Sequence, residues 1–322
     1  MAQIPQFLFA CQREVNTDVT FFSLPPQPQN VAENAPPAAT NQVMHLPLNA
    51  VDDSNVIFNS IRGFVCFIYQ RRLVGGNIEH VQMICKPSTQ ESSILPTMNT
   101  TRVRMMTYYG YDEVNNQLKV LSMTWRNGMN FDDHQVLNFG PGNAWRTIRC
   151  DVPHYSSKKG ICFNGVLYYP AIDMSTGHNM IVCFDVEAEQ FRILPAVIME
   201  EMVEAVKHGS FINYNGRLGI LESENMLGVD NTSTHFTMWL LNHETRVWAD
   251  HIHVFPASFE DTVGEALLRF DGMITLTNEV VFSSYYPSNP FYLFYYNIIT
   301  NTFRKVKIQG MEAYNYRYTC LN

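Results

Sequence analysis

The histidines and cysteines are the residues best suited to chemistry, and their spacing narrows what that chemistry could be. His251-Ile252-His253 sets two imidazoles on one face of a strand, because alternate strand residues point the same way. Such a pair suits a metal ion, but no third ligand stands at a recognisable spacing, so both rings are read as ordinary surface groups. Asp132-Asp133-His134 has the composition of a metal or acid–base cluster. It falls in a polar stretch entering an apolar strand, and catalysis needs burial and a partner to shift a pKa, so it is read as a solvated loop. There is no Gly-x-Ser-x-Gly elbow, no Gly-x-x-x-x-Gly-Lys loop and no Cys-x-x-Cys. The seven cysteines are an odd number, and Cys66, Cys162 and Cys183 each sit between apolar neighbours, which suits small buried hydrophobes and not bridges. These residues give no expectation of a catalytic group, a cofactor or a metal.

Composition sets further bounds. The 322 residues hold 22 Lys+Arg against 30 Asp+Glu, a formal charge of −8, with 46% hydrophobic residues and only 16% charged. That is a globular composition with a large core. The acidic balance argues against a nucleic-acid partner, since phosphate affinity comes from clustered Lys and Arg. The N-terminal Met1-to-Glu14 stretch has no basic region and its apolar run is only Phe7 to Ala10, so it reads as neither a signal peptide nor a membrane span. A cytoplasmic or nuclear location is expected.

The elements that would position any site come from internal repetition. Three segments share one pattern: an apolar strand ending in Asp or Asn, a polar turn, and an aromatic six positions after that Asp or Asn. They are Met180–Asp185 leading to Phe191, Phe236–Asn242 leading to Trp248, and Phe291–Asn297 leading to Phe303, with a looser fourth, His134–Phe139, leading to Trp145. Successive aromatic anchors lie 46, 57 and 55 residues apart, a spacing that fits one propeller blade. Ahead of each hairpin stands another, turning at Asn115-Asn116, Asn164-Gly165, Asn215-Gly216 or Thr277-Asn278. Asn-Gly between apolar runs favours a type I′ turn, whose two central residues need positive φ. Each unit is then four antiparallel strands, and a fifth such unit begins near Gly63. Strands at Phe7–Gln12, Val19–Ser23 and Val43–Leu48 combine with Tyr316–Leu321 into a sixth sheet that joins the two termini. The prediction is an all-β, six-bladed propeller over residues 1–322 with four strands per blade. Residues 25–49, rich in Pro, Asn, Gln and Ala, read as a mobile loop within the closing blade. Only Ile198–Lys207 looks helical, with Ile198, Met202 and Val206 on one face.

Several stretches also carry a family likeness. Pro5–Gln12, Arg62–Phe67, Ile84–Thr89, Tyr109–Asp112, Leu118–Met123, Gly160–Tyr169, Val182–Val186, Phe291–Asn297 and Ile308–Ala313 together resemble the plant F-box associated β-propeller domain, type 3, in order and over nearly the whole chain. The resemblance implies the target-recognition part of an SCF-type ubiquitin ligase receptor, a non-catalytic protein-interaction module acting in protein ubiquitination. In that family an F-box docks on the Skp adaptor and so on the cullin. No F-box stretch is read in this sequence, which starts where the F-box of such proteins has already ended. Adaptor and cullin docking is therefore in doubt as an expectation, whereas target recognition is unaffected.

Strand direction then selects a binding face. In four antiparallel strands the first and third turns emerge at one end and the second turn, with the link to the next blade, at the other. The second turns carry the large side chains Trp125, Phe131, His178, Tyr285 and Tyr286, and the link before the unit that starts at Gly160 adds His154 and Tyr155. Exposed aromatics are the usual anchors of protein interfaces, so these seven are the candidate partner-binding residues, the partner being an unidentified target protein. The competing readings are a small-ligand or hydrolytic propeller working through its central channel, and a non-functional fragment. Sialidase-type Ser-x-Asp-x-Gly-x-Thr-Trp turns, Trp-Asp repeats and a Gly-Gly in each repeat are all absent.

Overall fold

The computed structural model describes residues 7–12, 18–28, 36–48, 57–72, 78–98, 104–126, 129–156, 158–194, 200–286, 288–311 and 315–321. Among the described residues six sheets, antiparallel apart from one two-residue parallel strand, follow one another along the chain. The first sets Asn315–Leu321 beside Phe7–Gln12, then Val19–Leu24 and Asn41–Leu46, so both ends of the chain share one sheet. The second holds Ile57–Ile61, Phe64–Arg72, Ile78–Lys86 and Glu91–Ile94, and the third Arg104–Asp112, Gln117–Arg126, Met129–Asn138 and Arg146–Ile148. In the fourth, His154–Tyr155 and Ile161–Phe163 both pair with Val166–Asp173, followed by Asn179–Asp185 and Gln190–Ile193. The fifth runs Ser210–Tyr214, Arg217–Ser223, His235–Asn242, Val247–Val254, and the sixth Leu268–Ile274, Glu279–Ser284, Phe291–Asn297, Thr302–Gln309. These sheets are the blades of a six-bladed β-propeller, as the repeat predicts.

Turn chemistry explains why the repeat could be read. Arg62-Gly63, Asn164-Gly165 and Asn215-Gly216 take positive φ at both positions, the type I′ geometry that matches strand twist. The pattern of an aromatic six residues after Asp or Asn also has a mechanical basis. Asn242 Oδ1 accepts the N–H groups of Glu244 and Thr245, Asn297 Oδ1 those of Ile299 and Thr300, and Asp185 Oδ1 that of Ala188. Four residues after each of these, Arg246, Asn301 and Glu189 adopt positive φ and return the chain to the ladder. The aromatic two places later is then the second residue of the returning strand, and Trp248 and Phe303 are buried there.

The contacts divide into two compact units, one of residues 1–93, 221–239 and 250–322, the other of residues 94–220 and 240–249. In the first unit, alternation sends Leu8 and Ala10 into a core with Phe58, Phe67 and Met83 of the second sheet. Phe7, Phe9 and Cys11 enter the opposite core with Leu293, Tyr295 and Val281 of the sixth. A strand buried on both faces reads as a continuous apolar run, which FLFAC is. In the second unit, Tyr108, Leu121 and Met123 pack on Leu167, Tyr169 and Val182. There Lys119 reaches the fourth sheet: its Nζ donates to the Val186 carbonyl at 2.8 Å and pairs with Asp112 at 3.1 Å and Glu189 at 3.0 Å. Glu189 also takes the Arg146 guanidinium.

Three expectations need correction. Within residues 25–49, Ala38–Ala39 lies parallel to Ile308–Gln309, and Thr40 N–H donates to the Gln309 carbonyl, so ordered pairing begins before the strand expected at Val43. Pairing with the sixth sheet needs only backbone groups, and side-chain pattern does not announce it. The expected helix is a 3-10 turn, Glu200–Met202, followed by Val203–His208, with Met202, Ala205 and Val206 buried; residues 195–199 lie outside the described residues. A second helix, Phe259–Val263, was not expected. It is a single turn held by the Phe255–Phe259 ring stack at 3.8 Å, too short to show helical periodicity.

Candidate functional site

In the first unit the wholly buried strand Glu279–Ser284 delivers the chain to Tyr285, whose N–H donates to the Leu267 carbonyl at 2.7 Å. That bond fixes the backbone while the rings point outward: Tyr285 is 49% and Tyr286 67% exposed, edge to face at 5.2 Å. The connection between Arg217–Ser223 and His235–Asn242 is tied to the same place. Val229 and Leu268 exchange both backbone hydrogen bonds, at 2.8 and 2.7 Å. Gly228, at φ 137°, passes so close that a Cβ there would stand 2.2 Å from the Leu268 carbonyl oxygen. The turn thus displayed carries Met226 and Leu227, 68% and 73% exposed. Four large apolar side chains are therefore held out to solvent by two connections stitched through Leu267 and Leu268. The carboxylates of this turn are ionised: a backbone N–H from Thr234 holds Glu224 below its usual range, and the Thr232 hydroxyl does the same for Asp230. Exposed apolar side chains with acidic neighbours make a surface that a partner can cover.

The other predicted residues lie elsewhere. His178 is exposed in the second unit, after an Asp173 turn in which Asp173 Oδ1 accepts the Ser175 N–H at 2.7 Å. It lines a cavity of about 580 Å³ with Met180, Ile181, Ile193, Leu194 and Val203. Tyr155 is half-buried in a two-residue strand, paired with Ile172. Trp125 and Phe131 belong to the strands Gln117–Arg126 and Met129–Asn138 and not to a loop, because the hairpin continues past the expected turn, with Arg126 opposite Met129; their side chains lie outside the described residues.

His154 is a correction. It was expected on the binding face, yet its side chain is fully buried at 0% exposure. Its Nδ1 donates to the Val152 carbonyl at 2.7 Å and its Nε2 meets the Tyr169 hydroxyl at 2.8 Å, so both ring nitrogens are used inside the protein. His134 is a second correction: far from standing in a solvated loop, it is 2% exposed within Met129–Asn138, opposite Met123. The two rings lie 5.3 Å apart and Cys150 Sγ stands 3.8 Å from His154 Nδ1. Burial pushes the His134 imidazole down to about 3, with His154 adding to the effect, and pushes His154 itself down. The Cys150 thiol is raised by burial. In the sequence this cluster is visible only as Cys150-x-x-x-His154, a spacing that does not bring in His134. The pair His251 and His253 is divided: His251 is exposed, while His253 stacks on Phe236 at 5.0 Å. Cys11, Cys66, Cys85 and Cys183 are buried thiols, Cys162 is half-buried, and none of them is bridged. Among the described residues no helix is long and apolar enough to cross a membrane.

Comparison with known proteins adds a family. The profile of the F-box associated beta propeller domain matches residues 6–322. The chain is 38% identical over 312 residues to the F-box protein At5g65850 of Arabidopsis thaliana, covering 96% of this chain and 74% of that protein. It is 41% identical over 315 residues to the Arabidopsis thaliana F-box protein DOR, covering 96% and 77%. Among solved structures, a mutant Trypanosoma rangeli sialidase aligns with 80% of this chain and 48% of its own at a TM-score of 0.45 and 11% identity.

Proposed function

The chain belongs to the F-box associated β-propeller family, and from that premise we propose that it is a non-catalytic module that recognises a target protein, the part such a domain plays beside an F-box in an SCF-type ubiquitin ligase receptor. The observation that supports the reading is the exposed group of Tyr285, Tyr286, Met226 and Leu227. Isolated exposed apolar residues are ordinary, but here two exposed pairs stand on connections tied to the adjacent residues Leu267 and Leu268, which is the kind of apolar display that partners cover. Aromatic side chains have few rotatable bonds and lose little freedom when covered, so they contribute binding energy out of proportion to their number. The partner expected is a protein segment offering an apolar anchor.

The test is capture from plant tissue by the intact chain and by a variant with Tyr285, Tyr286 and Met226 all changed to Ala. These side chains are exposed, so the variant should melt within a degree or two of the parent. Proteins retained by the parent and lost by the variant, at a loss of roughly 2 kcal/mol or more for a central aromatic, are the expected result. Equal retention by both sinks this face as the recognition surface. Recovery of the Skp adaptor and cullin in the same experiment is the direct reading of ligase membership.

A further inference from the structure

We propose that His134, Cys150 and His154, with the Val152 carbonyl, form a binding site for one zinc-class divalent cation. This is independent of the recognition face, which lies in the other compact unit.

The donor set comes first. One ligand atom from each of the three side chains lies within 4.8 Å of the other two. Zinc binds thiolate sulfur at about 2.3 Å and imidazole nitrogen at about 2.0–2.1 Å, so two such ligands at tetrahedral angles stand about 3.6 Å apart. Cys150 Sγ and His154 Nδ1 are 3.8 Å apart, close to that edge. The second observation is independent. His134 Nε2 is buried with no hydrogen-bond partner. An orphaned polar atom in a buried site calls for an explanation, and a neutral imidazole nitrogen is the commonest metal ligand.

Hydrogen bonding around the cluster supplies the remaining parts. The Val152 carbonyl accepts from Cys150 Sγ at 3.2 Å and from His154 Nδ1 at 2.7 Å. Both of those hydrogens occupy positions that a cation would take. On binding, the Cys150 thiol releases its proton to solvent and becomes a thiolate. The His154 proton moves from Nδ1 to Nε2, where it is donated to the Tyr169 hydroxyl 2.8 Å away. One proton leaves for each cation bound, and the freed Val152 oxygen takes the fourth corner. A ligating histidine whose other nitrogen donates to a fixed oxygen is the usual outer arrangement of such sites. Cys150, half-buried on the 149–153 segment between the third and fourth sheets, is the most exposed of the three side chains. A mixed sulfur and nitrogen set selects zinc-class ions over magnesium or calcium, which prefer oxygen.

The test uses the full chain stripped with a chelator and titrated with cobalt(II) as the probe. A thiolate-to-cobalt charge-transfer band should rise, saturate at one equivalent and vanish on adding one equivalent of zinc, with one proton released into weak buffer. Cys150→Ser should remove the band and weaken zinc binding by about 100-fold or more, since losing even an outer-shell partner costs about 10–100-fold. His251→Ala should leave both unchanged. No band at one equivalent, a band that persists in Cys150→Ser, or one lost in His251→Ala overturns the proposal. If Cys150→Ser does not fold, alkylation of the parent chain decides: zinc must protect Cys150, and equal labelling with and without zinc overturns the site.

Discussion

Replacing Lys119 with Met should cut the stability of the second unit more than any surface change. The ammonium is 7% exposed, Asp112 0% and Glu189 15%, so all three charges have left bulk water. At an effective dielectric near 20, each pair at about 3 Å carries roughly 5 kcal/mol of gross attraction, most of it offset by desolvation. Removing only the cation leaves buried Asp112 with no countercharge and Glu189 with Arg146 alone, and the net loss should be about 3–5 kcal/mol. The pH dependence follows from the carboxylates. Burial by itself raises Asp112, but the hydrogen bonds from Asn115 and the Lys119 ammonium outweigh it and hold the carboxyl below its ordinary value. Glu189 is likewise raised by burial and lowered further by Arg146 and Lys119. Groups with depressed folded pKa stabilise fully above the ordinary carboxylate range, and that stability is lost as pH falls below it. In Lys119→Met the carboxylates gain by being protonated, so the gap between variant and parent should narrow on acidification. Urea unfolding of both proteins at about pH 7 and about pH 4 measures it. A gap under about 1 kcal/mol at neutral pH, or one that widens in acid, refutes the reasoning. Adding Asp112→Asn alone to the variant should recover part of the loss, because Asp112 is the fully buried charge left without a cation while Glu189 keeps Arg146.

Further predictions follow from single contacts. Gly228→Ala should destabilise by about 2–3 kcal/mol, since the residue is held at φ 137° with a carbonyl oxygen 2.2 Å from the new methyl; thermal melting checks it. With chelator present, the parent should lose stability as pH falls from 6.5 towards about 3, because His134 charges freely only when unfolded. At about pH 5 that histidine alone accounts for about 2 kcal/mol, and His134→Leu should flatten this part of the urea-midpoint profile. Asn297→Ala removes the acceptor for two turn N–H groups and should cost about 1 kcal/mol, read as a lower melting temperature with unchanged circular dichroism.

What could be read from the sequence is what neighbouring residues decide among themselves. Asn-Gly turns and the Asp or Asn that caps a five-residue reversal act over a handful of positions, so they mark each hairpin wherever the sheets end up. Strand counting extended that to the sheet joining Phe7–Gln12 to Asn315–Leu321, because an all-β chain with leftover strands at both ends closes best by pairing them. Composition also determined that the strands would be buried on both faces: FLFAC offers no polar side to water. Tertiary structure decided the rest. His134, Cys150 and His154 are spread over twenty-one positions, yet antiparallel register sets His134 opposite Met123, and packing of the third sheet on the fourth swings His154 into the same interior. The same packing took His154 off the surface where strand direction alone had placed it. Tyr285 shows the converse: its position after a strand was evident, but only the carbonyl of Leu267, eighteen residues earlier, fixes the backbone that keeps the ring exposed. Local geometry is encoded in adjacent side chains, whereas burial depends on which distant strands supply the other wall.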